Sequence, residues 1–182
     1  ENGLAGWTTA VGTGMQWAIG TTTEKGEGSY LFTVQYGNYP KDSRAYVTTP
    51  AISTSGFTDI QLSIDFLTLL SDLEDGLRVE YSADDGITWF VLGNAEPTAN
   101  ATNWYNNNTV SAFSSTSSAW TGNSSGNSSW ISRFEQATHT LPASLNNNPT
   151  VRFRFVFASD KNISGTGVSI DNLILTGQRI TP

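Results

Sequence analysis

The chain has 182 residues, enough for one sizeable core, and its nine Lys and Arg against sixteen Asp and Glu leave a net charge of −7. So acidic a chain brings no general electrostatic attraction to a phosphate backbone, which argues against nucleic acid as a partner. With no cysteine and a single histidine, thiol nucleophiles, disulfide frameworks, Cys/His zinc sites and multi-histidine metal sites fall away, and what remains is oxygen chemistry.

Glu1-Asn2-Gly3 has neither the basic nor the apolar segment of a leader, and no apolar run approaches the roughly 20 residues that cross a bilayer as a helix. A start at Glu1 is expected of a mature secreted product or of a segment cut from a longer chain. Further along, Tyr30 to Tyr36 and Ala45 to Thr49 read as strands. Ile60, Leu62, Ile64 and Phe66 then alternate with Gln61, Ser63 and Asp65, and Leu77, Val79 and Tyr81 alternate with Arg78, Glu80 and Ser82. Period two makes both half-buried strands. Ser82-Ala83-Asp84-Asp85-Gly86 before the short run Thr88 to Leu92 is a hairpin turn, with Asp84 and Asp85 in turn positions and Trp89 expected in the core.

From 93 to 132 the texture changes. Asn, Ser, Thr and Gly crowd the segment, yet it holds Trp104, Tyr105, Phe113, Trp120 and Trp130. A loop of that length inside a compact domain is expected to be an ordered excursion pinned by its aromatics, or else a binding surface. Ser132 to Thr140 and Val151 to Phe157 are again strands. In Val168 to Thr176 the phase reverses: Val168 and Ile170 lie on one face and Leu173 and Leu175 on the other, so a bulge at Asp171-Asn172 must absorb one residue. No sustained helical periodicity appears, and the whole chain, 1–182, reads as one all-β domain of two packed antiparallel sheets with about eight to ten strands.

Gly3 to Trp7 (GLAGW), Ser43 to Ile52 (SRAYVTTPAI), Asp75 to Trp89 (DGLRVEYSADDGITW), Asn103 to Asn106 (NWYN), Trp120 to Gly122 (WTG) and Val151 to Asn172 follow one another in a recognisable order. In that order the chain resembles the MAM-like jelly-roll accessory domains of secreted bacterial proteins, including modules beside immune inhibitor A-type peptidases and in multidomain Bacteroidota surface proteins. The Asp75 to Trp89 segment is the most specific part and is shared in outline with reelin-type repeats. The resemblance implies a jelly-roll β-sandwich without an active site, placed outside the cell as a recognition, adhesion or stabilising module. Animal MAM domains carry paired cysteines and this chain has none, which points to the bacterial branch.

Two sites follow as expectations. If the bulge turns Asp171 inward, its carboxylate needs a cation, and calcium would take hard oxygens there. The resemblance adds Glu1, the Glu27 to Ser29 loop and Asp42 as companions for a structural Ca2+. For a carbohydrate or cell-surface glycan, Trp104, Tyr105, Trp120 and Trp130 among Asn and Ser offer flat rings and short polar groups; the competing reading makes the same rings anchors of the loop. A protein-interaction or structural module beside a peptidase is the first alternative function. A polysaccharide-active enzyme is the second, weakened because His139 has no G-x-S-x-G elbow to serve and no E-x-D-x-E strand supplies paired carboxylates.

Overall fold

A computed structural model describes residues 5–20, 30–33, 37–113, 117–124 and 134–181. Within them lie eleven strands: β1 (Thr8–Thr13), β2 (Ala18–Gly20), β3 (Tyr30–Phe32), β4 (Arg44–Thr48), β5 (Phe57–Leu69), β6 (Gly76–Ser82), β7 (Phe90–Val91), β8 (Ala101–Thr102), β9 (Glu135–Thr140), β10 (Arg152–Ala158) and β11 (Gly167–Arg179). They pair antiparallel into a five-stranded sheet, order β1-β4-β10-β6-β7, and a six-stranded sheet, order β2-β3-β11-β5-β9-β8. The architecture is the all-β jelly-roll sandwich that the sequence predicts.

Alternation explains which side of each strand is covered. Ile60, Leu62, Ile64 and Phe66 of β5 join Leu77 and Val79 of β6 and Phe153, Phe155 and Phe157 of β10 in one core, all at most 2% exposed. Each such side chain contributes roughly 1.5–3 kcal/mol by leaving water. The polar phase of the same strands is left on the two outer faces. On β11 the bulge falls where the phase reversal put it: Asp171 stands opposite Asp65, Ile174 opposite Ser63, and Asn172 takes φ +48° to absorb the extra residue. Leu173 and Leu175 thereby return to the core side.

The excursion after β7 is what closes one end of the sandwich. Its return leg pairs Trp120 with Leu77 of the five-stranded sheet, through N–H to O bonds of 2.9 Å in both directions. Two residues later the Leu70 N–H donates to the Gly122 carbonyl (3.0 Å), and Ser124 N–H donates to Thr68 O (3.1 Å), so the same leg is tied to the chain of β5 as well. Trp120 stacks on Phe66 at 4.5 Å between ring centroids and meets Trp104 and Tyr105 edge-on at 4.9 and 4.7 Å. Gly76, beside the buried Asp75 on the outward phase of β6, lets the same excursion lie against that side as well: a Cβ there would lie 2.8 Å from Phe113 Cε2 and 3.0 Å from Ala119 Cβ.

Every polar end of the aromatic plug is satisfied by backbone. Trp104 Nε1 donates to Leu92 O (2.7 Å) and Trp120 Nε1 to Asn103 O (3.0 Å). The Tyr105 hydroxyl accepts from Val79 N–H (2.9 Å) and donates to Val79 O (3.1 Å), standing in for a strand neighbour on β6, and burial raises its pKa. Removing Trp120 by substitution with Ala is therefore expected to cost about 3–5 kcal/mol, a fall in melting temperature on the order of 10 °C. Tyr105→Phe is expected to cost about 1–3 kcal/mol by leaving the Val79 N–H unpaired, while the Val79 carbonyl keeps the Leu92 N–H. Calorimetric melting of both variants measures each loss.

Candidate functional site

The structure corrects the glycan platform expected from the excursion. Trp104, Tyr105 and Trp120 are 5%, 5% and 2% exposed and lie in the core, so none presents a ring to a ligand; the anchoring reading holds for them. Trp130, Glu1 and the Glu27 to Ser29 loop lie outside the described residues. Trp89 is the reverse correction. Expected in the core, it is half-buried and does not belong to the core cluster.

The calcium expectation finds no cage among the described residues, where no three acidic or imidazole groups converge. Asp171 does not turn inward. As the cross-strand partner of Asp65 it shares the outer face of the six-stranded sheet, where Asp65 accepts from Asn172 Nδ2 at 2.8 Å, and its own Oδ1 accepts from the Asn172 N–H at 2.8 Å within the bulge. Asp42, at φ +50°, donates its N–H to Asp160 O and accepts from Thr13 Oγ1 at a loop that precedes β4.

Asp84 keeps its structural role in the turn: its carboxylate accepts from Thr88 N–H (2.8 Å) and Thr88 Oγ1 (2.6 Å) and from Ser82 Oγ (2.7 Å), which together hold it down at about 2. His139 is half-buried against Trp104, with ring centroids 5.0 Å apart and Nδ1 at the Thr140 carbonyl; burial lowers its pKa, and the ring serves packing.

A half-buried set of charged and aromatic groups collects instead on the outer face of the five-stranded sheet. Register places Arg154 of β10 beside Thr48 and Glu80, and Val156 beside Tyr46 and Arg78, with Arg152 and Arg44 at the two ends of the stripe. The Arg154 guanidinium lies 4.3 Å from the Trp89 ring centroid and 5.1 Å from that of Tyr46. Its Nε donates to Glu80 Oε2 (2.5 Å), and Arg78 pairs with the other oxygen of Glu80. Phe113 carries Arg78 at 4.3 Å and Arg44 at 5.5 Å. Arg152 holds Asp85 (2.6 Å) and donates to Thr49 O (3.1 Å).

The face is held by its own internal pairs. Glu80 is only 3% exposed, and an unpaired carboxylate there would be costly; two charge-assisted partners offset its desolvation and hold both guanidinium groups in place. Arginine suits this role because its plane stacks on a ring while its edge binds a carboxylate. Trp89 Nε1 donates to Gly86 O (2.9 Å), which ties the ring to the hairpin turn. The sequence reading used only the apolar phase of these strands. The polar phase, Arg44-x-Tyr46-x-Thr48, Arg78-x-Glu80 and Arg152-x-Arg154, carries the signal that would have found the face.

A second polar cluster lies inside the molecule. Asp75 is fully buried, accepting from the Tyr39 hydroxyl (2.5 Å) and Asp160 N–H (2.7 Å). Burial pushes its carboxyl up from 3.8 to about 6, against the lowering effect of those two bonds, and burial and the same carboxylate also raise Tyr39.

No protein-family profile matches the chain, and no curated protein matches it. Solved structures do. A cleaved adhesin domain of Lys-gingipain from Porphyromonas gingivalis superposes with a TM-score of 0.53 at 14% identity, covering 98% of this chain and 95% of that one. A carbohydrate-binding module specific for non-crystalline cellulose gives 0.52 at 13%, covering 98% and 92%. The enzymatically active domain of a bacteriophage tailspike protein gives 0.51 at 13%, covering 96% of this chain and 20% of that one. At these identities the likeness is one of fold, and a sandwich shared by adhesin, sugar-binding and enzymatic domains leaves the activity to be argued from the site.

The Asp75 pKa makes a signed prediction. Because the folded protein holds this proton more tightly than the unfolded chain, the group's stabilisation is complete below about pH 4 and is lost as pH rises through 6, a difference of about 3 kcal/mol at most. Asp84 acts in a lower window, stabilising above about 4 and losing that as pH falls through 2. Lowered His139 opposes Asp75 near pH 6, but it is present in both proteins being compared. Asp75→Asn is therefore expected to gain melting temperature relative to the wild type as pH rises from 4 to 7.5. A difference that stays flat across that range contradicts the assignment.

Proposed function

We propose that the chain is a noncatalytic carbohydrate-recognition module acting outside the cell, and that its binding surface is the outer face of the five-stranded sheet. The observation that carries this reading is the Trp89, Arg154 and Tyr46 stack. Two flat rings, from β4 and from the hairpin before β7, lie against a planar cation of β10, all three half-buried and held by a buried carboxylate and by the hairpin turn. Sugar recognition needs that combination: an apolar plane for the C–H face of a pyranose and rigid donors for its oxygens.

The face also argues against catalysis of its own. Glu80 is held by Arg78 and Arg154, and Asp85 by Arg152, so both carboxylates act as acceptors rather than as an acid and base pair facing a substrate. The likeness to adhesin and carbohydrate-binding sandwiches supports the reading at the level of fold. Protein contact is a second reading, favoured by one observation: Ile87, Phe90 and Val91 at the β7 edge are 82%, 54% and 36% exposed.

Affinity electrophoresis against a panel of soluble polysaccharides tests the proposal. Wild-type protein is expected to be retarded by at least one member, and Trp89→Ala to weaken that retardation about tenfold or more. Trp89→Ala should melt within a few degrees of wild type, in contrast to Trp120→Ala. Retardation by no member, or full retention by Trp89→Ala, contradicts the proposal.

A further inference from the structure

Resting on that reading of the five-stranded face, we infer that its ligand is an acidic glycan, one whose sugars carry carboxylates. The face runs against the charge of the molecule. Arg44, Arg78, Arg152 and Arg154 are four of the nine basic residues in a chain of net charge −7, and with Glu80, Asp84 and Asp85 they leave the stripe and its hairpin turn at +1. In a network paired one to one, the carboxylates would leave no guanidinium over. This one has a cation to spare.

The spare capacity has named atoms. Arg154 uses Nε for Glu80, and its two Nη groups make no hydrogen bond to the described residues; Arg152 uses Nε and Nη1 and keeps Nη2. Both side chains are 25% exposed. Standing two residues apart on β10, they project from the same face about 7 Å from one another. A guanidinium edge with its free N–H groups outward matches a carboxylate, which accepts two parallel bonds from such a fork.

The rings decide in favour of a glycan over a simple polyanion. Trp89 and Tyr46 flank Arg154 on either side, so a carboxylate bound at that guanidinium brings its pyranose ring over an aromatic edge. Phe113 packs against Arg78 and Arg44 at the far end of the stripe, so the ligand is placed at the Arg152 and Arg154 end. The acidity of the remaining molecule does not forbid such a ligand. At physiological ionic strength charges are screened beyond about 8 Å, so the cations in contact dominate.

The test titrates the intact chain with polygalacturonate, with the same polymer fully methyl-esterified, and with polyglutamate, following binding by calorimetry. Polygalacturonate is expected to bind at least about tenfold more tightly than the ester. Arg154→Gln and Arg152→Gln should each erase most of that preference, while Arg154→Lys keeps the charge, loses the fork and retains only part of it. Melting curves confirm that each variant is folded, and Arg152→Gln, whose partner Asp85 is exposed, keeps the test usable if Arg154→Gln is not. Equal binding of polymer and ester, with Trp89 still required, overturns the acidic ligand and leaves sugar recognition standing. Equal binding of polyglutamate overturns the glycan assignment, and a charge preference untouched by either arginine substitution overturns the placement of the carboxylate at this face. If no polysaccharide binds at all, this inference falls together with the reading it rests on.

Discussion

The fold depends on the insertion of Trp104, Tyr105 and Trp120 between the two sheets. Strand alternation alone supplies two faces that must be covered, but it does not say what fills the space beside β6 and β9. Here a segment dominated by Asn, Ser and Gly does so, because its few large rings bury enough surface to offset the ordering of their small neighbours. The hydrogen bonds make the arrangement specific. Tyr105 completes the bonding of Val79, Trp104 binds the Leu92 carbonyl, and Trp120 both pairs with Leu77 and binds Asn103. A Leu-rich plug could fill the volume without fixing the register of β6.

Fixing β6 in turn fixes the outer face. Glu80 lies between Val79, bonded by Tyr105, and Tyr81, so its position follows from the plug on the other side of the strand. Arg78 and Arg154 then converge on Glu80, and Arg154 lies between Trp89 and Tyr46. The two sides of one strand thus divide the labour. Rings facing inward hold the sheet, and rings facing outward carry the arginines of the surface proposed for a ligand.

Much of this was legible in the sequence. The strands at β5, β6, β10 and β11 declare themselves by period two, and the bulge at Asp171-Asn172 declares itself by a phase reversal, because a buried face tolerates no slip. The strands β1, β2 and β8 were not legible. Of the six residues of β1 five are exposed, and β2 and β8 have only three and two residues, so no apolar phase marks them. Three of the four candidate rings were misread for a physical reason. Composition makes Trp104, Tyr105 and Trp120 look like a sugar platform, and only the fold reveals that their neighbours are sheet interiors; Trp89 looks like core because it follows a hairpin, yet its register turns it outward. Asp171 illustrates the same limit, since a bulge predicts that the phase changes but not which side keeps the carboxylate.

The division between structural and recognising aromatics is the central claim, and indole resonances read it directly, because each of the six tryptophans has its own Nε1–H signal. Titrating the 15N-labelled protein with oligogalacturonate should shift the Trp89 indole and the Arg152 and Arg154 Nε–H signals while leaving Trp104 and Trp120 in place. Shifts at Trp104 or Trp120, or shifts confined to the six-stranded sheet, would contradict the account.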